Sequence, residues 1–558
     1  MNKVIQFVVI IALTVLTVLL LYTFRTFDDD RFVRWEWVFR AVKITRVLAF
    51  LIPGAIVAFI LSRSSVPERY PVPFLFILSF GVASMLWSEP EMIVDASRYF
   101  TQAKNLELYG TGYFLREWGK AIEIWTDLPL MPFIYGIVFR FLGEARIYVQ
   151  LVTTLLFSST VVLTYLTGKT LWDRETGFRG GMFLLGIPYL FTQVPLMLVD
   201  TSTMFFFMLA VFMFIKGLQR GGLWVPAASA ALFLVIFSKY SAWLMLSLLV
   251  IITAVSLFQI YRSPEGTSVT RCCFRATVIV VVAALAGGAL MLFKYNVLSS
   301  QIGLLLAFQK PGLGRWSESF VSTFLFQVHP VLTVSAFFSM YVAWKKKDPK
   351  YMIICWLMAL IVALRIERIR YTIIAFPMFS LMAAYGLNAL NENALKRCIV
   401  FSVAAWSITL AVFAYLPFLQ KTSARNLQSA GAFINTLPGK DIEVITLPGK
   451  DEEVNMAVAV PVLDLFTDKE ICYAYRMDGS PPPEEIAVSS LRFTWSYKNP
   501  EYYEGVAAPG TPIAIIRGDR LGKLPEAVAK KLITFGKSKS FSVTDHIWRH
   551  QTFVTVYY

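Results

Sequence analysis

Charged side chains are scarce in this sequence. Asp, Glu, Lys and Arg make up 16% of the 558 residues, whereas a soluble globular chain carries about 25%. The apolar set AVILMFWYC makes up 56%, and the mean hydropathy is +0.59. This balance excludes a disordered chain and a coiled coil, and it indicates a membrane protein.

Cysteine and histidine are also few, with five and three residues. Cys272, Cys273, Cys355 and Cys398 lie in or beside apolar runs, and Cys472 stands alone in the C-terminal part. This spread predicts no disulfide framework. The sequence also has no Cys or His cluster with the spacing of a zinc site, so no metal is indicated.

The net charge of +15 comes largely from short basic loops between apolar runs. Such loops are typical of the cytoplasmic side of membrane proteins. We therefore expect the charge to reflect membrane topology, with membrane lipids as partners and no nucleic acid.

The apolar runs predict a polytopic α-helical membrane protein. A membrane-spanning helix needs about 20 mostly apolar residues, and about thirteen candidates are present. They lie at 4–22, 47–62, 73–88, 147–168, 179–197, 201–217, 223–239, 241–260, 276–294, 321–344, 351–366, 372–390 and 398–418. We accordingly assign residues 1–418 to a transmembrane domain.

Two regions depart from short loops. Residues 89–146 form a long loop, in which the short apolar stretch 128–143 predicts an interfacial or re-entrant helix. Residues 419–558 contain strand-like runs at 441–447 and 511–517, separated by Pro/Gly turns. This pattern predicts a C-terminal α/β domain.

The basic loops also predict orientation. Alternating spans place 345–350, 262–275, 216–220 and 396–397 on one side, which should be cytoplasmic. The 89–146 loop and the C-terminal domain are then extracytoplasmic. The loop 25–46 disagrees, because it is basic yet falls outside. The absence of an Asn-x-Ser/Thr sequon fits a prokaryotic plasma (inner) membrane.

Ionisable residues collect at the outer ends of several spans. Asp95, Asp200, Lys239 and the group 365–370 all meet the same predicted membrane surface. Ionisable residues at membrane depth are costly and mark functional sites by default. A carboxylate can take a proton from a hydroxyl, and Lys or Arg can hold a phosphate. A phosphate bound beside lipid suggests a lipid-phosphate substrate.

Several motifs follow one another in a recognisable order. They are Asp95-Ala-Ser-Arg-Tyr99-Phe-Thr-Gln-Ala103, Asp127-Leu-Pro129-Leu130, Leu196-Met-Leu-Val-Asp200, Ser238-Lys239, and Arg370-Tyr371 followed by Pro377. Over roughly residues 73–390 this series resembles the GT-C glycosyltransferases, nearest to the protein O-mannosyltransferase and lipid A aminoarabinose transferase branch. Ala96 and Leu128 depart from that pattern, since the family has the second acid of an Asp-Glu pair at the first position and the first proline of a Pro-Pro pair at the other.

The resemblance implies an inverting glycosyltransferase that uses a polyprenyl-phosphate-linked sugar at the outer face of the membrane. The acceptor would be a lipid, a glycan or a protein. No cofactor is required, because cations can neutralise a lipid-phosphate leaving group.

The resemblance also implies roles for individual residues. Asp95 would be the general base, and Asp200 would orient the acceptor or the loop that carries Asp95. The implied phosphate-binding residues are Lys239, Arg370, Arg368 and Arg98, and the implied substrate-binding residues are Tyr99, Asp127, Tyr371 and His329.

Other readings of these residues remain open. Asp95 and Asp200 could cap the helices that follow them, and Lys239 could reach towards lipid headgroups. His329 could serve packing alone. A secondary transporter or flippase of a lipid-linked or anionic substrate is the main alternative function, although no internal repeat supports it. A non-catalytic membrane scaffold is the other.

Overall fold

The computed structural model describes residues 2–262, 268–310, 318–449, 453–473, 484–487, 489, 491–497, 499–520 and 524–558. Helices occupy most of the chain up to residue 419, and a five-stranded sheet follows. The structure therefore confirms a helical membrane protein with a C-terminal α/β domain.

Seven helices in the described part of the chain are long and apolar enough to cross a membrane. They are Lys3–Thr23, Ile44–Arg63, Arg146–Leu171, Asp200–Arg220, Tyr240–Arg262, Val269–Phe293 and Asn393–Leu419. Each overlaps a predicted span. The most apolar stretches of Asp200–Arg220 and Asn393–Leu419 are 78% buried, against 22% for Ile44–Arg63 and Val269–Phe293. The first pair therefore lies at the centre of the bundle, and the second pair presents apolar side chains outwards.

The other six predicted spans contain helices shorter than these seven. These shorter helices are Pro71–Ser84, Arg174–Leu184 with Pro188–Gln193, Trp224–Ile236, Pro330–Lys346, Tyr351–Ala363 and Phe376–Leu387. Proline stands at the start of several of these helices, where it cannot continue a preceding one. The helices Pro188–Gln193 and Phe376–Leu387 are buried throughout. Interrupted backbone is tolerated there, because neighbouring protein surrounds it.

The 89–146 loop is itself helical. It contains Ile93–Glu117 and the amphipathic Leu130–Leu142, which lies where the short apolar helix was predicted. The first helix is broken at Gly110, whose φ of +84° is readily adopted only by glycine. A Cβ at this position would lie 2.9 Å from an Arg140 nitrogen.

The remaining helices connect these elements or belong to the C-terminal part. They are Trp35–Ala41, Val66–Arg69, Tyr295–Phe308, Ile369–Thr372, Ala424–Ile434, Ala459–Asp464, Glu484–Ala487, Arg492–Trp495 and Glu526–Leu532.

The C-terminal sheet has the strand order β2-β1-β3-β5-β4. Its strands are β1 (Asp441–Leu447), β2 (Glu470–Cys472), β3 (Ile513–Arg517), β4 (Ser538–Phe541) and β5 (Phe553–Tyr557). β1 pairs in parallel with β2 and β3, and β5 pairs antiparallel with β3 and β4. Burial alternates along β1 and β5, as expected for strands with one buried face. β1 and β3 confirm the strands predicted at 441–447 and 511–517.

The C-terminal domain is tied to the 89–146 loop through an ion pair. Helix Ala459–Asp464 packs against Ile93–Glu117, and the Lys104 ammonium lies 2.6 Å from a carboxylate oxygen of Asp464. Tyr503 donates a hydrogen bond to the same oxygen at 2.6 Å. The long loop thus lies between the membrane helices and the C-terminal domain.

Candidate active site

Arg370 joins two carboxylates that are far apart in the sequence. Its Nε donates to Asp200 Oδ2 at 2.8 Å, and its Nη1 donates to Asp95 Oδ2. Asp95 lies in the first turn of Ile93–Glu117, Asp200 begins Asp200–Arg220, and Arg370 belongs to the short helix Ile369–Thr372. A planar guanidinium can hold two partners in this way, whereas an ammonium cannot hold them in a fixed fork.

Two more cations extend the cluster. Lys239 pairs with the other oxygen of Asp200. Arg98 lies 3.0 Å from Asp95 Oδ1 and 3.2 Å from Asp127 Oδ1. The three carboxylates and three cations form a continuous ion-pair chain, which we call the central cluster. Its formal charges cancel.

The local backbone explains how Lys239 reaches this place. It lies between the helices Trp224–Ile236 and Tyr240–Met245, in an extended conformation with φ −163° and ψ 140°. The break leaves the Lys239 side chain at a helix junction instead of inside a helix. Ser238 caps the preceding turn by donating to the Val235 carbonyl at 2.8 Å.

Asp127 is held by amide side chains. Its Oδ2 accepts a hydrogen bond from Gln102 Nε2 at 3.1 Å, and its backbone carbonyl accepts one from Gln301 Nε2 at 2.7 Å. Tyr240 donates to Gln301 Oε1 at 2.6 Å. These amides fix Asp127, which in turn orients Arg98. The sequence analysis missed Gln102 and Gln301, because an uncharged amide carries no pattern of its own.

Glu91 connects the start of the long loop to the segment before Asp200. Its Oε1 accepts the Met197 N–H at 3.0 Å, and its Oε2 lies 3.1 Å from Arg146 Nε. Tyr135 donates to the Leu198 carbonyl at 2.9 Å, which holds the same segment. These bonds set Asp200 against Asp95. A signal was present in the sequence, since Glu91 and Arg146 are opposite charges at the ends of predicted spans.

Arg368 and Tyr371 lie beside the central cluster. Arg368 Nε is 3.6 Å from Glu318 Oε1, and its Nη1 donates to the Tyr371 hydroxyl at 3.5 Å. The Lys239 ammonium lies 5.5 Å from the centre of the Tyr371 ring. Tyr371 thus connects Arg368 to Lys239. Tyr99 is buried, and its ring centre lies 5.7 Å from the Arg98 guanidinium carbon.

The exposed fraction of the side chain differs among members of the central cluster. The side chains of Lys239 and Asp95 are 23% and 18% exposed, whereas those of Asp200 and Asp127 are 3% and 5% exposed. Lys239 and Asp95 are therefore the members most open to a ligand. Asp200 and Asp127 are placed to hold the cations.

The surroundings shift the pKa values of Asp95 and Asp127 in opposite directions. Burial raises the pKa of Asp95, but Arg370 and Arg98 together lower it by more than burial raises it. The pKa of Asp95 therefore lies below its usual value. For Asp127, burial outweighs the lowering by Arg98, and its pKa is raised. Asp95 is consequently ionised at neutral pH and fully engaged with cations.

His329 has contacts of a different kind. Its Nε2 lies 3.0 Å from the Leu13 carbonyl oxygen, and its Nδ1 accepts the Val331 N–H at 3.1 Å. Its ring packs edge-on against Trp406, with 4.6 Å between ring centres. These contacts give His329 a packing and helix-capping role. The substrate-binding role stays a prediction to which they add no support.

No group of three or more His, Cys, Asp or Glu side chains in the described part of the chain could hold a metal ion. The carboxylates of the central cluster are instead paired with Arg and Lys. The arrangement suits binding of an anion, because the cations that would hold the anion are already in place.

Comparison with known proteins identifies the fold but no sequence family. No protein-family model and no curated protein sequence matches the chain. The crystal structure of ArnT from Cupriavidus metallidurans bound to undecaprenyl phosphate is similar over 86% of this chain and 97% of that chain, with 13% identity and a TM-score of 0.50. Its apo state gives 11% identity and a TM-score of 0.49 over the same shares.

The archaeal oligosaccharyltransferase AglB from Archaeoglobus fulgidus, in complex with an inhibitory peptide and a dolichol-phosphate, is more distant. It matches 81% of this chain and 70% of that chain, with 10% identity and a TM-score of 0.40. The likeness to ArnT confirms the GT-C fold that the motifs predicted. The chain is a multi-pass membrane protein of this fold.

Proposed function

We propose that this protein is a membrane glycosyltransferase that moves a sugar from a polyprenyl-phosphate donor to an acceptor hydroxyl. The observation that carries the proposal is Arg370 bridging Asp95 and Asp200 beside the partly exposed Lys239. The ArnT structure of the same fold is bound to undecaprenyl phosphate, which agrees with this class of donor.

The donor phosphate would bind to Lys239 and Arg370. Both cations form ion pairs with carboxylates of the central cluster. A phosphate brings negative charge to a cluster whose formal charge is zero, so binding would exchange carboxylate partners for phosphate oxygens. Charge-assisted hydrogen bonds to the phosphate replace those lost, and the same bonds stabilise it as a leaving group.

This exchange would also activate Asp95. The paired carboxylate is a weak base, because Arg370 and Arg98 hold its pKa below the usual value. When the phosphate draws Arg370 away, the pKa of Asp95 rises towards the range in which a carboxylate accepts a proton effectively. Donor binding and base activation are thereby coupled in one step.

The reaction would be an inverting displacement. The acceptor oxygen forms a bond to the anomeric carbon, on the face opposite the phosphate, while the bond from that carbon to the phosphate oxygen breaks. The bonding electrons leave with polyprenyl phosphate, and the hydroxyl proton passes to Asp95. No metal is needed in this scheme, because Lys239 and Arg370 neutralise the leaving phosphate.

The other predicted residues would act as supports. Asp200 and Asp127 are positioning residues, since they are almost buried and hold the cations that Asp95 shares. Arg368 and Tyr371 would extend the phosphate-binding surface beyond Lys239, and Arg98 and Tyr99 would border the acceptor. The basic loops support an extracytoplasmic site in a prokaryotic plasma membrane.

Transfer from radiolabelled polyprenyl-phosphate sugars tests the proposal. Purified protein in bilayers would receive each donor with a native envelope extract as acceptor. We expect Asp95→Asn to reduce transfer by about 100-fold or more, the usual worth of a general base. Asp468→Asn is the matched control, because Asp468 is an exposed aspartate of the C-terminal domain.

Wild-type protein that transfers no sugar from any donor of this class would overturn the proposal. An Asp95→Asn variant with normal turnover would overturn the assignment of Asp95 as the base.

A further inference from the structure

A cavity of about 260 Å³ lies between helix Ile93–Glu117 and the residues 493, 497 and 499–502 of the C-terminal domain. Six of its fifteen lining residues are aromatic, among them Tyr109, Tyr113, Trp125 and Tyr497. Polar groups stand between them, including two carboxylates and two amides. The cavity is thus amphipathic, unlike a lipid groove.

The cavity begins at the central cluster. Arg98, Thr101, Asn105 and Tyr109 line it at helical spacings of three and four residues, so they share one face of Ile93–Glu117. Arg98 is also the residue that pairs with Asp95. At 1.5 Å per residue, Thr101 and Asn105 lie about 9 and about 15 Å along the helix from Asp95. A ligand filling the cavity would therefore extend well beyond the reacting hydroxyl.

Trp125 forms part of the wall in a strained conformation. Its φ of +31° is positive, which L-residues other than glycine rarely adopt. Its ring lies between Phe308 and Phe493, with centre-to-centre distances of 5.7 and 5.8 Å. Strain of this kind is maintained at functional sites when the surrounding structure holds it. Here it holds an indole beside the cavity.

Some buried polar atoms of the lining have no hydrogen-bond partner among the described residues. Two of them are Nε of Arg98, which can only donate, and Oδ1 of Asn499, which can only accept. The Asn499 amide nitrogen already donates to the Tyr473 carbonyl at 2.8 Å. A hydroxyl can serve both atoms, because it donates and accepts. A ligand with many hydroxyls would satisfy them from one molecule.

From these features we propose that the cavity binds the glycan part of the acceptor, two or more sugar rings long. A sugar ring offers an apolar face to aromatic side chains and a rim of hydroxyls to amides and carboxylates. This inference rests on the proposed function, which supplies the sugar donor, and it selects a glycan or glycolipid from the three acceptor classes.

A peptide acceptor fits the same cavity less well. One mode of peptide recognition is the pairing of an extended peptide with the free edge of a strand. The lining residues lie in helices, in turns and in irregular positions such as 497, 499 and 500, and none of them belongs to a described strand. The side chains, and not the backbone, therefore provide the contacts.

Binding of soluble glycans tests the cavity without the transfer reaction. Full-length protein in bilayers would be titrated with an array of short oligosaccharides and, in parallel, with short peptides. We expect oligosaccharide binding that Tyr109→Ala and Tyr113→Ala each weaken by about threefold to tenfold, as loss of one aromatic contact implies. Tyr109→Phe should retain binding if the ring face makes the contact. Tyr261→Ala is the control, since Tyr261 is 84% exposed and lies outside the cavity.

The outcomes separate this inference from the proposed function. Oligosaccharide binding that depends on Tyr109, in a protein that transfers no sugar, would support the cavity and reject the transferase. Active transfer, with a KM for the acceptor extract that Tyr109→Ala and Tyr113→Ala leave unchanged, would support the transferase and overturn the cavity. Binding of peptides with no oligosaccharide bound would also overturn it.

Discussion

Two groups of buried carboxylates in this protein have opposite surroundings. In the central cluster, Asp95 and Asp200 are each paired with cations. In the loop after the first helix, Asp28 and Asp30 are instead held mainly by neutral donors. Asp28 accepts the Trp35 N–H at 2.7 Å and Gln327 Nε2 at 3.0 Å, and Asp30 accepts the Val33 N–H at 2.6 Å.

The difference appears in the pKa values. Burial, reinforced by the charge of Asp30, raises the pKa of Asp28 to about 8. Burial likewise raises the pKa of the neighbouring Glu318 to about 7. At Asp95, cations overcome burial and lower the pKa. Asp28 and Asp30 serve to hold a loop in place. The central cluster instead keeps its carboxylates ionised and paired with cations, and an anionic ligand can replace those carboxylates.

Replacing Arg370 should break the central cluster most severely. Arg370→Lys keeps one charge but cannot bridge Asp95 and Asp200 as a fork. We expect transfer to fall by about 100-fold or more, because both the phosphate contact and the geometry of Asp95 are lost. Initial rates with saturating donor would measure the effect. Arg549→Lys is the control, since that arginine forms an exposed ion pair, and an Arg370→Lys variant of normal rate would refute the bridging role.

Glu91→Gln should disturb the position of Asp200 without removing a charge from the central cluster. Glu91 contacts Met197 and Arg146, and no member of the central cluster is its hydrogen-bond partner in the described contacts. We expect kcat to fall about tenfold with little change in the donor KM, because Asp200 is less well placed against Asp95. Steady-state kinetics with varied donor would separate the two constants. A change confined to KM would contradict the positioning role.

Asp28→Asn should flatten the pH dependence of stability. In the unfolded chain this carboxyl ionises near its ordinary pKa of 3.8, but in the folded protein it stays protonated up to about pH 8. Stability therefore falls as pH rises between these values, by at most about 1.4 kcal/mol per pH unit. Asn does not titrate, so thermal unfolding of the variant should lose less stability between pH 6 and the folded pKa of about 8. Equal pH slopes for wild type and variant would rule out this role for Asp28.

The sequence predicted the members of the central cluster better than their pairing. Asp95, Asp200, Lys239 and Arg370 were selected because charge at the end of a span is costly. That Arg370 bridges two acids follows from a long-range approach of three elements, which local patterns do not encode. Gln102 and Gln301 were missed because an uncharged amide carries no pattern of its own. Glu91 was missed although its charge at the end of a span was visible, because its contact with Arg146 is long-range.

The helices show a similar limit. The span boundaries at 4–22, 47–62 and 201–217 agree closely with the helices, because long apolar runs determine them. The segment 179–197 does not form one helix, since the chain breaks at 185–187 before Pro188 and buried neighbours support the break. The acids of the loop 25–46, which contradicted the topology, have a structural role, because Asp28 and Asp29 accept hydrogen bonds from the segment 318–327.

Binding of a polyprenyl phosphate to wild type and to Asp95→Asn tests the exchange of partners most directly. The lipid phosphate without sugar would be titrated into protein in bilayers, with Lys239→Met as the reference for a lost cation. The exchange predicts that Asp95→Asn binds at least about threefold more tightly, because one competing carboxylate is gone, while Lys239→Met binds more weakly. Equal or weaker binding by Asp95→Asn would contradict competition between the carboxylate and the phosphate for Arg370.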